Sequence, residues 1–431
     1  MTTNVSSIKD SSQIAFPAEK LVDDVRARAI LAAAKIDLVC AKQDINLFYL
    51  SGHASDSSLC HFYDEWACAL YPASSTVAGA LIVPDYDLAY QVTRPTSMPD
   101  LLTYGSEWSS AGILLKEIND GVGVDTALRH PLRELFAKTR PRATATLVAA
   151  IKSYVEKNFG SKPLTIACDD LHFSPILQET LGERVTLVDA RPVMRKIRAV
   201  KTAPEMQLLR DAAHINDAAL ESAAKQIRVG GRWDEMVKGY RDVLAKKGAK
   251  TLGERGMLFN SGPDGAFVLD HRYAASKAFT MGDTVVLDTI CQYKLYHADM
   301  ARSAIVGPPS LRQKQMYAAV VETLNAMESR LKAGMHTDEL TKIAGQVMIK
   351  HGFSERQTTL LFHPIGLEVF DYAEPAHMTD GWKLEANSVV NFEVFYRDAE
   401  AGGMHLEDSL IVYDKGFESL SNLSRELMIL E

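Results

Sequence analysis

Apolar positions recur along this chain with two different periods, and the alternation between them outlines the elements. In "KLVDDVRARAILAAAKI" (20–36) they return every three to four residues, the mark of a helix with one buried face. "RATATLVAAIKSYVEKNFG" (142–160) reads the same way. Between such stretches stand short unbroken apolar runs, "DLVCA", "GALIVP" and "LTIACDD", which predict strands buried on both faces. Helix and strand alternate in this manner to about residue 195, which predicts an α/β domain with helices on a mixed sheet.

The polar first fifteen residues (1–15) predict a flexible tail, and the α/β domain takes residues 16–198. A boundary falls in "RKIRAVKTAPEM" (195–206), whose basic run reads as a solvated linker. Thr202 and Glu205 have capping-box spacing with Pro204 in the first turn, so a long helix begins there. The second domain, 199–431, repeats itself. "GGRWDEMVKGYRDVLAKKGAK" and "AGMHTDELTKIAGQVMIKHGFS" share Gly, then Asp-Glu, then a Gly thirteen residues beyond that Glu (Glu235 to Gly248, Glu339 to Gly352). A long amphipathic helix precedes each copy and strand-like runs follow it. Two related halves packed as one domain account for this spacing, which is too long for a solenoid unit.

Acids interrupt the strand pattern. "TVVLDTICQYKLYHADMARSAIVG" (284–307) is a hairpin by its apolar runs, yet it holds Asp288 and Asp299. A turn centred on Tyr293-Lys294 places the two directly opposite each other, on one side of the sheet. "SVVNFEVFYRDAEAGGMHLEDSLIVYD" (388–414) is a second hairpin, and a centre at Glu400 opposes Glu393 to Glu407. Two carboxylates ~4 Å apart at an effective dielectric near 20 repel by roughly 4 kcal/mol. Such a cluster needs shared protons, a basic partner such as the nearby Arg302, or cations among the oxygens. Two acid pairs from two halves favour divalent cations, and oxygen-rich ligation suits Mn, Mg or Fe. His363, at the end of an apolar run before a Pro/Gly turn, and His271, just ahead of the first acid-bearing strand, are the candidate nitrogen donors.

Composition narrows the function classes. Lys and Arg number 47 against 55 Asp and Glu, a net charge of −8, which argues against a nucleic-acid partner. Five cysteines without a CxxC pair argue against a disulfide framework or a thiolate zinc site. A polar N-terminus and the lack of any long apolar run predict a cytoplasmic protein without a membrane span.

The motifs resemble those of the pita-bread metallohydrolases, the superfamily of creatinase, prolidase, Xaa-Pro aminopeptidase and methionine aminopeptidase (peptidase family M24). "LDTICQYKLYHADMARS" is similar to the family's Asp-x-Gly … Asp-Ile-Thr-Arg-Thr hairpin, "HPIGLEV" to its His-Gly-Ile-Gly-Leu turn, and "LEDSLIVYDKGFESLS" to its closing Glu-Asp strand. "DINLFYLSGH" resembles a segment of the N-terminal domain. The resemblance implies a creatinase/prolidase-like N-terminal α/β domain and an α+β pita-bread C-terminal domain with an internal pseudo-two-fold repeat. It implies five metal ligands, Asp288, Asp299, His363, Glu393 and Glu407, holding two divalent ions (Mn first; Fe, Co or Zn as alternatives). His271 matches the family's substrate-side histidine.

The substrate-facing shell departs from the pattern. Phe370 stands where proline-directed members carry a second histidine, Pro364 replaces the glycine after the ligand His, Ala301 the usual Thr, and His405 the Arg two before the last Glu. The expected activity is hydrolysis of an amide or related C–N bond of a small molecule or dipeptide, and the altered shell leaves a requirement for proline open. Glu393 is the expected proton acceptor for water and His271 the oxyanion donor; His271, Phe370 and His405 are the expected substrate-facing residues. A lyase like the DMSP lyase of this fold (which carries an extra acid where this chain has Ile290), a creatinase-like enzyme and a non-catalytic binding module are the alternatives. Relatives also imply a homodimer, with Tyr63 and Trp66 as aromatics placed either to close the pocket or to pack a core.

Overall fold

The computed structural model describes residues 19–54, 66–105, 117, 120–123, 129–252, 257–266, 278–354, 357–374 and 380–431. The tail 1–15, Tyr63 and His271 lie outside the described residues. One compact unit ends at Ile197 and another runs from Arg198 to Glu431.

The first unit carries a six-stranded sheet in the order β4-β3-β2-β1-β5-β6 among the described residues. The strands are β1 (Leu38–Ala41), β2 (Cys68–Pro72), β3 (Ala80–Pro84), β4 (Asp100–Tyr104), β5 (Leu164–Cys168) and β6 (Val185–Asp189). β2 runs antiparallel to β1 and β3, while β1·β5, β5·β6 and β3·β4 are parallel, so the sheet is mixed. The unbroken apolar runs have become its buried centre, and the helix α2 (Leu147–Phe159) lays Leu147, Ile151 and Tyr154 against it. Helix α1 (Asp24–Ala33) starts at Asp23, whose carboxylate accepts from the amides of Val25 and Arg26. Trp66 is tied down inside this unit, its indole donating to Asp87 at 2.7 Å.

The second unit has two halves of one build, each a pair of helices followed by a hairpin. α3 (Ala203–Ala224) and α4 (Trp233–Lys247) precede β9 (Thr284–Tyr293) and β10 (Tyr296–Val306). α5 (Leu311–Glu328) and α6 (Thr337–Lys350) precede β12 (Val389–Asp398) and β13 (Gly402–Val412). The capping box read from Thr202 and Glu205 is present at the start of α3, and at the starts of α4 and α6 the carboxylates of Glu235 and Glu339 likewise accept from the amides of Arg232 and His336. β10 and β13 pair antiparallel and join the hairpins. Outer strands flank them, β11 (Thr358–Pro364) on β12, and β7 (Lys250–Thr251) and β8 (Met257–Ser261) on β9. β10 and β13 are buried along their whole length. Even-numbered residues of β12 and β13, such as Phe392, Val394 and Leu406, pack with α5 and α6 in the core, and odd-numbered ones face the other way.

Two expectations need correction. Asp288 does not oppose Asp299: Asp288 pairs with Ala301 and Asp299 with Ile290. The turn is Lys294-Leu295, both at positive φ (47° and 69°), a two-residue connection whose twist suits a hairpin. It shifts the register by two, which leaves both acids on one face but makes them diagonal neighbours. The basic run at 195–206 is not a solvated linker, because Arg198 and Lys201 are buried and both reach Asp371.

Candidate metal centre

Strand register builds the site. Across four strands, β9-β10-β13-β12, one row reads Asp288, Ala301, Glu407, Glu393. Two positions along, on the same face, Ile290 pairs with Asp299 in β9·β10, and Ser409 pairs with Asn391, which pairs with His363 in β11. The Ser409 hydroxyl oxygen lies 3.1 Å from the Asp299 carbonyl oxygen, so these positions form a second row beside the first. The five residues expected as metal ligands therefore all project from one face.

Three of them converge. One donor atom from each of Asp299, His363 and Glu407 lies within 4.8 Å of the others. His363 Nε2 is 3.7 Å from Asp299 Oδ2 and 3.6 Å from Glu407 Oε1. The other ring nitrogen, Nδ1, donates to the Val369 carbonyl at 2.9 Å, which fixes the tautomer and turns the Nε2 lone pair toward the two carboxylates. Asn391, which sequence reading passed over, donates to Glu407 Oε1 at 2.9 Å, and the Ser409 hydroxyl donates to the Asn391 amide oxygen. Its signal was a lone amide in the apolar strand "VVNFEVF", two residues from Glu393 and thus on the same face.

Asp288 and Glu393 flank a different group. His405 lies between them, Nε2 3.3 Å from Glu393 Oε1 and Nδ1 3.9 Å from Asp288 Oδ2. Burial alone lowers an imidazole's basicity, but Glu393, Asp288 and Glu407 outweigh it and push His405 up to about 9. Burial raises Glu393 too, yet His405 wins and holds that carboxyl below its ordinary value. Asp288 and Asp299 are pushed well above the carboxylate range, first by burial and then by the neighbouring carboxylates. Arg302 does not neutralise them. It points to the opposite face, where it donates to Asp408 (2.8 Å) and to the Glu407 carbonyl (2.9 Å).

These features fit a divalent ion. Among the described residues, Asp299 Oδ1 is buried without a hydrogen-bond partner, an arrangement that costs free energy unless something positive completes it. Two carboxylate oxygens and an imidazole nitrogen with its tautomer fixed are the donor set that hard or borderline cations take. Phe370 lies over the site's edge, 45% exposed, its ring 4.5 Å from that of His363.

Comparison with known proteins agrees. The profile of metallopeptidase family M24 matches residues 207–414. The Xaa-Pro dipeptidase of Pyrococcus furiosus is 28% identical over 236 residues, 55% of this chain and 67% of that protein. An uncharacterised peptidase of Bacillus subtilis, YqhT, is 26% identical over 244 residues, 57% of this chain and 68% of its own length. Each match thus spans about two thirds of the relative. Among solved structures, an Xaa-Pro dipeptidase from Bacillus anthracis superposes with a TM-score of 0.71 at 20% identity, covering 94% of this chain and 99% of that one. The prolidase from Pyrococcus horikoshii OT3 gives 0.67 at 20% identity, with the same coverage. By its C-terminal domain the chain belongs to metallopeptidase family M24, a family of metal-dependent hydrolases.

Proposed function

We propose that the chain hydrolyses an amide or related C–N bond of a dipeptide-sized substrate at a centre of two divalent cations, manganese first among them. Asp288, Asp299, His363, Glu393 and Glu407 are its ligands, and the protein works as a cytoplasmic homodimer. The observation that carries the reading is the convergence of Asp299, His363 and Glu407, with Asp288 and Glu393 in the adjoining row of the same face. Divalent cations bound there acidify water and polarise a scissile carbonyl. Glu393 is held ionised beside His405, and its carboxylate is the proposed acceptor of water's proton, which it passes to the leaving nitrogen. His271 is the proposed oxyanion donor.

Two of the proteins named above, from Pyrococcus furiosus and Bacillus anthracis, are Xaa-Pro dipeptidases, and dipeptides are therefore the first substrates to test. Phe370 presents an aromatic face where a hydrogen-bonding imidazole would orient a prolyl amide, so dependence on proline is relaxed. Removing Glu407, at the middle of the four-strand row, tests the reading. Glu407→Ala loses at least one bound ion, and turnover on a panel of Xaa-Pro and non-proline dipeptides falls on the order of 10³-fold. Undiminished turnover in fully metal-stripped protein defeats the proposal, as does product formed from ¹⁸O-labelled water without incorporation of the label.

A further inference from the structure

The loop from Pro364 to Asp371 follows His363 and supplies the Val369 carbonyl that holds its Nδ1. Charged groups buried beneath it hold the loop in turn. Asp371, 1% exposed, receives Arg198 Nη2 on Oδ1 at 2.7 Å and Lys201 Nζ on Oδ2 at 3.2 Å. Arg198 also reaches Glu368 at 2.5 Å, so one guanidinium spans two residues of the loop. Lys201 Nζ donates back to the Arg198 carbonyl at 2.7 Å, and the Lys201 amide donates to the Asn387 carbonyl at 2.8 Å. The loop closes on itself where the Asp371 amide donates to Pro364 O (2.9 Å) and the Gly366 amide to Glu368 O (3.0 Å). At Gly366 a Cβ would sit 2.8 Å from both Lys201 Nζ and Asp371 Oδ2, so the backbone lies directly on the ion pair. On its other side the His297 amide donates to the Gly366 carbonyl at 2.9 Å.

Burying two cations and a carboxylate is expensive, and such groups contribute more to a specific geometry than to net stability. Here the geometry fixed is that of a side chain in the metal centre. We propose that Arg198 and Lys201, acting through Asp371, are positioning residues that hold the 364–371 loop so that Val369 keeps His363 in its metal-ready tautomer. The first turn of chain after the N-terminal unit is thereby wired to the centre by a path of side chains and one carbonyl: Arg198 and Lys201, Asp371, Val369, His363. Burial would raise the Asp371 carboxyl, but Arg198 and Lys201 hold it well below the ordinary range, so the pair stays charged at working pH. The inference rests on the proposed metal centre for its consequence, though not for its geometry.

The test uses the full-length chain, Asp371→Asn and Lys201→Met, with two readouts. Calorimetry with Mn²⁺ gives metal affinity, and ¹⁵N-imidazole NMR of the metal-free protein gives the His363 tautomer, assigned with His363→Gln. Folded Asp371→Asn should bind Mn²⁺ about 10–100-fold more weakly, as loss of a partner behind a ligand does, and its His363 signal should move from Nδ1–H toward a tautomer mixture. Lys201→Met, which keeps the Arg198–Asp371 pair, should show the same change in smaller degree and reports in place of Asp371→Asn if that variant fails to fold. A network that only stabilises the fold would lower the unfolding midpoint while leaving both readouts at wild-type values, and that result overturns the proposal. Wild-type protein that binds no Mn²⁺ would sink the hydrolase reading instead; the imidazole signal would still decide the clamp.

Discussion

The two hairpins share a strand plan and differ in how each bears its acids. In β12–β13 the carboxylates of Glu393 and Glu407 stand directly opposed, while in β9–β10 Asp288 and Asp299 are offset by two residues. The second hairpin also carries its own cationic partner, His405, on the acid-bearing face, and its Glu393 is pulled down in consequence. Both acids of the first hairpin are pushed up. One half therefore tolerates a charge before metal arrives and the other does not. The turns differ too: three residues, Ala399 to Ala401, close the second hairpin and lead into Gly402 at φ +88°, and Lys294-Leu295 closes the first with no glycine beside it.

The largest effect expected from this asymmetry is on metal binding. A carboxyl whose value lies above the ordinary one keeps its proton at a pH where a free carboxylate is ionised, and an incoming cation must displace it. Affinity therefore rises with pH and falls as pH drops, by about tenfold per unit for each proton released. Calorimetry in buffers of different ionisation enthalpy counts those protons; binding with none released contradicts the raised state of Asp288 and Asp299. Next comes the turn of the second hairpin. Gly402 has φ +88°, and a Cβ there would stand 2.4 Å from the Gly262 carbonyl oxygen. Gly402→Ala should destabilise the domain by about 2–4 kcal/mol, seen as a lower denaturation midpoint with loss of bound metal. The smallest effect is a gain. Lys294→Asn with Leu295→Gly supplies the residues a turn with two positive φ values prefers, and should stabilise by about 1 kcal/mol with the register unchanged. A loss of stability would mean that the turn is not the two-residue one described.

These turns also explain what the sequence made legible. Glu393 and Glu407 could be paired correctly because the Gly-Gly step and Asp398, whose carboxylate accepts from the amides of Glu400 and Ala401, mark the connection. Lys294-Leu295 carries no such mark, since neither residue favours positive φ, and the register read from it was two residues off. The buried apolar strands of the N-terminal unit and the Thr202–Glu205 cap were visible because their causes are local. Arg198 and Lys201 read as solvated for the opposite reason. Their partner Asp371 is 173 and 170 residues away, and nothing in a basic run announces a distant carboxylate. His405 was noticed as a departure from a family pattern, while its place between Asp288 and Glu393 follows only from the register of β13.

The seam where β10 meets β13 has a consequence for how the molecule assembles. Asp299 belongs to one half of the domain, Glu407 and His363 to the other, and chain contacts of such long range form late and slowly. A cation that needs all three finds no home in either half alone. At the proposed centre its capture would have to await the joining of the halves, so an ion serving the chemistry would also serve as a latch on the completed fold.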